Sequence, residues 1–565
     1  MSISGNRKWF LWPLMLLIPV CFFSLIEIAC RLAEPSIPDD PYMSFSGKPD
    51  FFSEELVNGK HYVRINHPQI YRAREVMFSA KKGENTVRIV CLGGSASAGW
   101  PHPPTEIYSA YLEKALQHSF PGKTIEVINA SGHAYAAYRV RLIFEEMMNY
   151  DPDLIIIYSG NNEFVEDRTY IKTQEIFGPL FSIMNKSAAF RVARAWTVKF
   201  TQRGNKKLSA SLRSPMRFAI WSKVKQRALK LRKDPEQFES VKQHYSHSIE
   251  MMIKRARQRT IPVVLVTVPV NLRDWHPNVS IHSAEGEELL RWQKLYQAGR
   301  RALLEDKPHK AVGSLTEATA LDPVHADSHF YLAQAFEQSG DYENATREYD
   351  KARDLDHNPF RASSEFNDII QTVGHRNKGV YIADVDTSFR TASAPFAPGF
   401  NLFLDYVHPT RQGNLIVAKT VYDLILQKRI LGQSAGPAAF ESGINETTYS
   451  EANDYPMQGT LLRLFGMMHQ YESMVTKARF IDKMGNKIEP VGKRVLWRPE
   501  ESAELVAAVL EVFPDFLELK RREIMGVPFT TVESDLILDR VEKFYRDHYG
   551  INRYRIRQEL ESVSD

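Results

Sequence analysis

The sequence predicts an α/β protein with a parallel sheet, an all-α insertion and a helical C-terminal region. From Thr86 onward, short apolar runs alternate with helical patterns, and this alternation is typical of a parallel sheet. Two later segments match each other at a constant offset of 34 residues, which is the period of a known helical repeat. The chain has 565 residues, which leaves room for about three or four domains.

Five strands are predicted for the sheet, in the order 87–92, 125–129, 153–158, 261–269 and 379–385. Helices are predicted between the first four strands near 106–119, 138–150 and 237–259. The sheet therefore occupies residues 86–290 and resumes in 361–430 after a long interruption.

The interruption contains the repeat. The first copy has Ala311, Leu315, Ala318, Leu321 and Asp322, and the residues 34 positions later are Ala345, Tyr349, Ala352, Leu355 and Asp356. The second copy resembles the tetratricopeptide pattern closely, and the first copy matches it more loosely. We predict a tetratricopeptide insertion over 291–360, and stacked helix pairs of this kind present a concave face to peptides or partner proteins.

The N-terminus is apolar. Residues 10–29 are mostly Leu, Phe, Ile, Val and Trp, and they are long enough to cross a bilayer. The preceding Arg7 and Lys8 favour a cytoplasmic N-terminus. We therefore expect residues 1–34 to form an uncleaved single-pass membrane anchor, with the rest of the chain outside the cytoplasm.

Two further segments differ in composition from the rest of the chain. Residues 176–233 contain fifteen Lys or Arg and no Asp or Glu, interleaved with Phe and Trp. Such a segment either lies on an anionic membrane or polymer surface or forms a solvated lid. Residues 431–565 begin with a polar loop and continue with amphipathic helical patterns, and we identify no chemistry in them.

Composition excludes several classes of protein. The formal net charge of +4 argues against a dedicated nucleic-acid-binding protein. The three cysteines are Cys21, Cys30 and Cys91, and their positions allow neither a disulfide framework nor a zinc site. Any chemistry therefore belongs to side chains other than cysteine.

The first strand ends in the stretch VCLGGSASAGW, residues 90–100. It lacks the Gly-Lys-Ser/Thr ending of a phosphate-binding P-loop and the three-glycine spacing of a dinucleotide site. It also lacks the Gly-x-Ser-x-Gly pattern of a nucleophile elbow, at Ser95 as well as at Ser97. A Gly-x-Ser turn of another serine hydrolase class remains, beside an ordinary strand-to-helix turn.

A carboxylate and an imidazole lie three residues apart in FLDYVHPT, at Asp405 and His408. An aspartate bonded to one ring nitrogen fixes the histidine tautomer, so the other nitrogen can accept a proton from a serine hydroxyl. Gly160 and Asn162 follow the third strand, where an asparagine amide can donate to a ligand.

These motifs together resemble the four ordered blocks of SGNH, or GDSL-type, hydrolases. The blocks are Gly93-Gly94-Ser95, the region of Gly132, Gly160-Asn161-Asn162-Glu163 and Asp405-x-x-His408. The resemblance covers about residues 86–290 and 361–430, and it implies a three-layer α/β fold. Gly94 and Glu163 depart from the aspartates that are frequent at these two positions.

By this resemblance, Ser95 is the nucleophile, His408 the general base and Asp405 the residue that orients it. Asn162 and the backbone N–H groups of Ser95 and Gly132 form the oxyanion hole, although Ala134 is an alternative to Gly132. Ser97 becomes a supporting residue.

The resemblance implies a serine esterase that acts on a lipid, an acylated glycan or a small ester, and it implies no metal or organic cofactor. Together with the apolar N-terminal segment, it predicts a membrane-anchored esterase. Two alternatives stay open: an O-acyltransferase that passes the acyl group to a cell-surface glycan, and a tetratricopeptide adaptor with an inactive hydrolase core.

Overall fold

The computed structural model describes residues 6–33, 52–65, 76–100, 102, 104–165, 187–190, 192, 231–357, 359–434 and 440. Most of the basic segment 176–233 and nearly all of the C-terminal region 431–565 lie outside these residues. The chain divides into two compact units, 1–51 with 168–214 and 52–167 with 215–565.

The first unit contains helix α1 (Asn6–Ala33). Within the part of the chain that the structure describes, no helix has both the length and the apolar character that a membrane crossing needs. The side chains of residues 6–16 and 18 are outside that part, so the predicted anchor over 10–29 lies partly outside it. The carboxylate of Glu27 on α1 accepts hydrogen bonds from the backbone N–H groups of Ala188 and Ala189.

The second unit is built on a five-stranded parallel sheet, as predicted. Its strands are β4 (Thr86–Gly93), β5 (Thr124–Asn129), β6 (Leu154–Tyr158), β7 (Val263–Val266) and β8 (Val380–Ala383). They lie side by side in the order β5-β4-β6-β7-β8. The chain therefore reverses direction across the sheet between β4 and β6, and ligands of open α/β sheets bind at the carboxyl ends of the strands at such a reversal.

Helices cover both faces of this sheet. They are α2 (Ser95–Ala98), α3 (Tyr108–Ser119), α4 (Ala137–Met147), α5 (Pro235–Gln258), α10 (Ser364–Arg376), α11 (Val385–Ser393) and α12 (Arg411–Gln427). The connection through α3 runs in the opposite direction across the sheet from those through α4, α5 and α10. Because such crossovers are right-handed, α3 lies on one face, where it packs on α12, and α4 and α10 pack on α5 on the other.

A small antiparallel sheet precedes β4, and the sequence did not indicate it. It consists of β1 (Phe52–Val57), β2 (Lys60–Ile65) and β3 (Val76–Ser79). The buried guanidinium of Arg88 on β4 donates to the carbonyl of Ser79 at 2.8 Å and to Glu126 on β5 at 2.6 Å. Arg88 thus joins the two sheets within the second unit.

Four consecutive helices form the insertion between β7 and β8. They are α6 (Gly286–Leu304), α7 (Pro308–Leu321), α8 (Ala326–Gln338) and α9 (Tyr342–Asp354). Neighbouring helices pack on each other around a core that includes Ala311, Leu315 and Leu332. The insertion is therefore all-α, as expected, and its tetratricopeptide identity stays a prediction.

Candidate active site

Ser95 lies directly after the first strand of the parallel sheet. Strand β4 ends at Gly93, and Ser95 is the first residue of the short helix α2. A side chain at Gly94 would overlap the amide nitrogen of Asn162. A side chain at position 94 would therefore displace the amide of Asn162 from its present place.

Ser95, His408 and Asp405 form a continuous hydrogen-bonded chain. Nε2 of His408 lies 2.8 Å from Oγ of Ser95, and Nδ1 of His408 lies 2.6 Å from Oδ2 of Asp405. Asp405 is fully buried and His408 is 2% exposed, whereas Ser95 retains 9% exposure. The three side chains that the sequence proposed as a set thus meet in one place, although Ser95 is far from the other two along the chain.

The loop that carries Asp405 is held in shape by its own hydrogen bonds. Oδ1 of Asp405 accepts the backbone N–H groups of Val407 and His408, at 2.9 and 2.8 Å. The backbone of Phe403 bridges that of Pro409, which closes the loop. Oδ2 is therefore left to accept Nδ1–H of His408, and this bond orients the imidazole.

Asn162 lies beside the serine, at the end of β6. Its side-chain nitrogen donates to the carbonyl of Tyr135 at 3.2 Å, and an amide nitrogen has a second hydrogen to donate. The backbone N–H of Ser95 is also a candidate donor, because the first residues of a helix have no partner within it. These two groups suit the stabilisation of an oxyanion on a carbon bonded to Ser95.

The backbone N–H of Gly132 has a hydrogen-bond acceptor within the protein. It donates to the carbonyl of Gly93 at 3.1 Å, so its hydrogen is used by a bond between the second block and the end of β4. Ala134, the alternative donor, has a left-handed backbone conformation with φ 58°. The oxyanion role of the second block stays a prediction, and this hydrogen bond favours Ala134 over Gly132.

Ser97 is not placed to act as a nucleophile. Its hydroxyl is fully buried, lies 3.0 Å from the Tyr108 hydroxyl and accepts a hydrogen bond of 2.8 Å from the Ser131 hydroxyl. Its carbonyl accepts a hydrogen bond from the side chain of Asn129. Ser97 therefore links α2 to β5 and the second block, in keeping with the supporting role expected for it.

Cys91, on β4, precedes Ser95, and its thiol is fully buried. Because the Cys91 side chain has no exposure to solvent, burial raises the pKa of its thiol to about 12. Because the thiolate is the reactive form of cysteine, Cys91 supplies no competing nucleophile at neutral pH.

Aromatic rings line the imidazole of His408. The ring of Trp100 lies edge-on to His408 with centroids 4.7 Å apart, and the ring of Tyr406 lies 5.8 Å away. Gly99 ends α2 with a positive φ of 75°, and the N–H of Trp100 then donates to the carbonyl of Ser95 at 3.1 Å. Sequence reasoning did not identify Trp100, although its position directly after the glycine-rich turn is a usable indication.

The carboxylate of Glu163 has a structural partner. It accepts the backbone N–H of Ala137 at 2.8 Å, at the first turn of α4, where a negative charge is favourable. Its neighbour Asn161 accepts the backbone N–H of Ala362 at 3.0 Å. Both residues fix the turn that presents Asn162.

Asn162→Ala is expected to lower kcat for ester hydrolysis by about 10²- to 10³-fold, the usual cost of losing one oxyanion donor. KM should change little, because the lost interaction strengthens mainly in the transition state. Steady-state kinetics with a soluble ester would measure this. A kcat within about twofold of the wild type would remove Asn162 from the oxyanion hole.

No family model and no curated protein matches this chain. Among solved structures, an acetylxylan esterase from Geobacillus stearothermophilus matches at 12% identity, covering 60% of this chain and 94% of that chain, with a TM-score of 0.28. A putative lipolytic protein of the G-D-S-L family from Desulfitobacterium hafniense matches at 11% identity, covering 60% and 99%, with a TM-score of 0.27. An acetyl xylan esterase called AlAXEase matches at 12% identity, covering 60% and 98%, with a TM-score of 0.28.

Proposed function

We propose that this protein is a serine esterase of the SGNH type, which hydrolyses a carboxylic ester through an acyl-enzyme. One observation supports this proposal above the others. Oγ of Ser95 lies 2.8 Å from Nε2 of His408, which is within the range for proton transfer between a nucleophile and its base. Nδ1 of His408 lies 2.6 Å from Oδ2 of Asp405, and this bond orients the base.

The first half of the reaction forms the acyl-enzyme. Oγ of Ser95 attacks the ester carbonyl while its proton moves to Nε2 of His408. The carbonyl oxygen becomes an oxyanion, which accepts hydrogen bonds from the side chain of Asn162 and the N–H of Ser95. Collapse of this intermediate breaks the ester C–O bond, and the alcohol leaves with the proton from His408.

The second half of the reaction releases the acid. His408 takes a proton from water as the water oxygen attacks the acyl carbon, and a second oxyanion forms in the same place. Its collapse breaks the bond to Ser95, whose Oγ recovers the proton from His408. Asp405 keeps its charge throughout and stabilises the imidazolium that forms twice in each cycle.

We also propose that α6–α9 are two tetratricopeptide helix pairs. Helices α7 and α9 begin at Pro308 and Tyr342, which are separated by one repeat period. The alanines that recur at this offset, such as Ala311 and Ala345, are buried between helices. Small side chains at these positions allow the close helix contacts that such repeats require.

A fluorophosphonate probe tests the proposed function, because it phosphonylates a serine that a neighbouring base has activated. We expect the wild-type protein to carry the label on the peptide that contains Gly94-Ser95, as identified by mass spectrometry. It should also hydrolyse short-chain p-nitrophenyl esters. Absence of both labelling and hydrolysis would contradict the proposal.

A further inference from the structure

Asn271 lies in the segment after β7, and its side chain and backbone N–H make three hydrogen bonds, two to the loop that carries Asp405 and one within its own segment. Its side chain donates to the carbonyl of Asp405 at 2.9 Å and accepts the N–H of Asp274 at 2.9 Å. Its own N–H donates to the carbonyl of Tyr406 at 3.0 Å. Asn271 is fully buried, so these bonds are made away from competing water.

Arg361 holds Asn271 from the other side. Its guanidinium donates to the carbonyl of Asn271, and both residues are buried. Arg361 follows the helical insertion directly and precedes Ala362, which donates its N–H to Asn161 beside the oxyanion asparagine. The segment before the insertion thus bonds to the loop of Asp405 through Asn271, and the segment after it bonds to the turn of Asn162 through Ala362.

Two carboxylates of the insertion, at equivalent positions of the repeat, accept hydrogen bonds from the backbone of the segment after Asn271. Asp322 follows α7 and accepts the backbone N–H of Ser283 at 3.0 Å. Asp356 follows α9 and accepts the N–H groups of Asn278 and Val279, at 2.8 and 3.0 Å. The two aspartates occupy the same position in successive copies of the repeat and both are fully buried, so the repeat supplies the same contact twice to one extended segment.

Helix α8 also contacts this segment, through a ring contact and an ion pair. The ring of His276 lies 4.6 Å from that of Phe330, and Arg273 forms a buried ion pair with Glu337 at 3.3 Å. Ten of the thirteen residues of α8 are buried. The chain's own residues 273–283 therefore occupy one face of the insertion.

We infer that the insertion is an intramolecular clamp, which positions Asp405 through Asn271. Asp405 must present Oδ2 to His408 at a fixed distance, and its backbone carbonyl is held by the side chain of Asn271. The clamp fixes the segment that carries Asn271, and Arg361 fixes the carbonyl of Asn271. Asn271 is thus a positioning residue, and this assignment rests on the proposed function for the catalytic role of Asp405.

Asn271→Ala is expected to lower kcat about 10- to 100-fold, since small displacements of a catalytic group have effects of this size. KM should stay within about twofold, because Asn271 is bonded to Asp405 and not to the oxyanion groups. Asn367→Ala is the matched control. Asn367 also makes two hydrogen bonds to the segment after β7, at Val268, and this variant should keep the wild-type kcat.

The clamp itself is tested by the double variant Asp322→Ala/Asp356→Ala, which should lower kcat in the same direction as Asn271→Ala. Its control removes two exposed acidic residues of the same helices, in Glu317→Ala/Glu343→Ala. A wild-type kcat in both the double clamp variant and Asn271→Ala would overturn the inference. Equal losses in Asn271→Ala and Asn367→Ala would also overturn it, because the effect would then be a general loosening of the segment.

A spectroscopic measurement separates this inference from the proposed function. The Nδ1–H proton of His408, bonded to Asp405, should give a downfield proton resonance in the wild type, whatever the substrate is. In Asn271→Ala this resonance should shift or broaden, and in Asn367→Ala it should not. A wild type that takes no fluorophosphonate label and hydrolyses no ester contradicts the proposed function alone, whereas an unchanged resonance in Asn271→Ala contradicts the positioning role.

Discussion

Ser95→Ala is expected to abolish fluorophosphonate labelling and to lower kcat for ester hydrolysis on the order of 10⁶-fold, as loss of the nucleophile does in serine hydrolases. The reason is that Oγ of Ser95 is the atom that bonds to the acyl carbon, and it lies 2.8 Å from the base that activates it. The fold should persist, because the contacts that place α2 involve the backbone of Ser95 and the side chain of Ser97. Mass spectrometry of the labelled peptide and a kinetic assay measure the two effects.

Ser97→Ala is the control for this experiment. It removes a hydroxyl that is bonded to Tyr108 and Ser131 in the core, so we expect a loss of stability of about 1 to 3 kcal/mol from the unsatisfied partners. Labelling at Ser95 should remain. Label kept in Ser95→Ala but lost in Ser97→Ala would reverse the assignment of the nucleophile.

The parallel sheet was predictable because its strands are buried on both faces. Strands of this kind appear as continuous apolar runs, and β4 and β6 are rich in Val, Ile and Leu. The carboxyl ends of parallel strands share one edge, so Ser95 after β4 and Asn162 after β6 follow neighbouring strands. Their assignment to one site comes from the resemblance to SGNH hydrolases.

The Asp405 and His408 pair was predictable for a local reason. At a spacing of three residues, one carboxylate can accept hydrogen bonds from both the backbone N–H and the ring N–H of the same histidine. Asp405 accepts both from His408.

Other contacts depend on distant parts of the chain, and no local pattern indicates them. Asn271 appears in the sequence as an ordinary polar residue after a strand, and only the fold brings it to the carbonyl of Asp405. The bond from Gly132 to Gly93 likewise joins two turns, whereas the motif shows only that a glycine is present. The small antiparallel sheet was missed because β1–β3 are short and carry mixed polar and apolar residues.

Asp405→Asn is expected to lower kcat about 10⁴-fold through the histidine tautomer. The oxygen of the new amide would still accept the N–H groups of Val407 and His408, as Oδ1 does now. Its nitrogen would then face Nδ1 of His408 and donate to it. The imidazole would carry its proton on Nε2, the atom that must accept the proton of Ser95.

The same geometry predicts that the melting temperature of Asp405→Asn changes little, because the two backbone hydrogen bonds and the packing of the loop are kept. Asp384→Asn is a matched control, since Asp384 caps α11 by accepting the N–H of Thr387 and asparagine caps a helix equally well. Calorimetry and steady-state kinetics on both variants separate the two effects. A turnover near that of the wild type in Asp405→Asn would show that His408 acts without Asp405, whereas a large fall in melting temperature would show that Asp405 acts chiefly on the fold. If Asp405 sets the histidine tautomer, Asp405→Asn has a low kcat with an intact fold, and Asp384→Asn keeps the wild-type kcat.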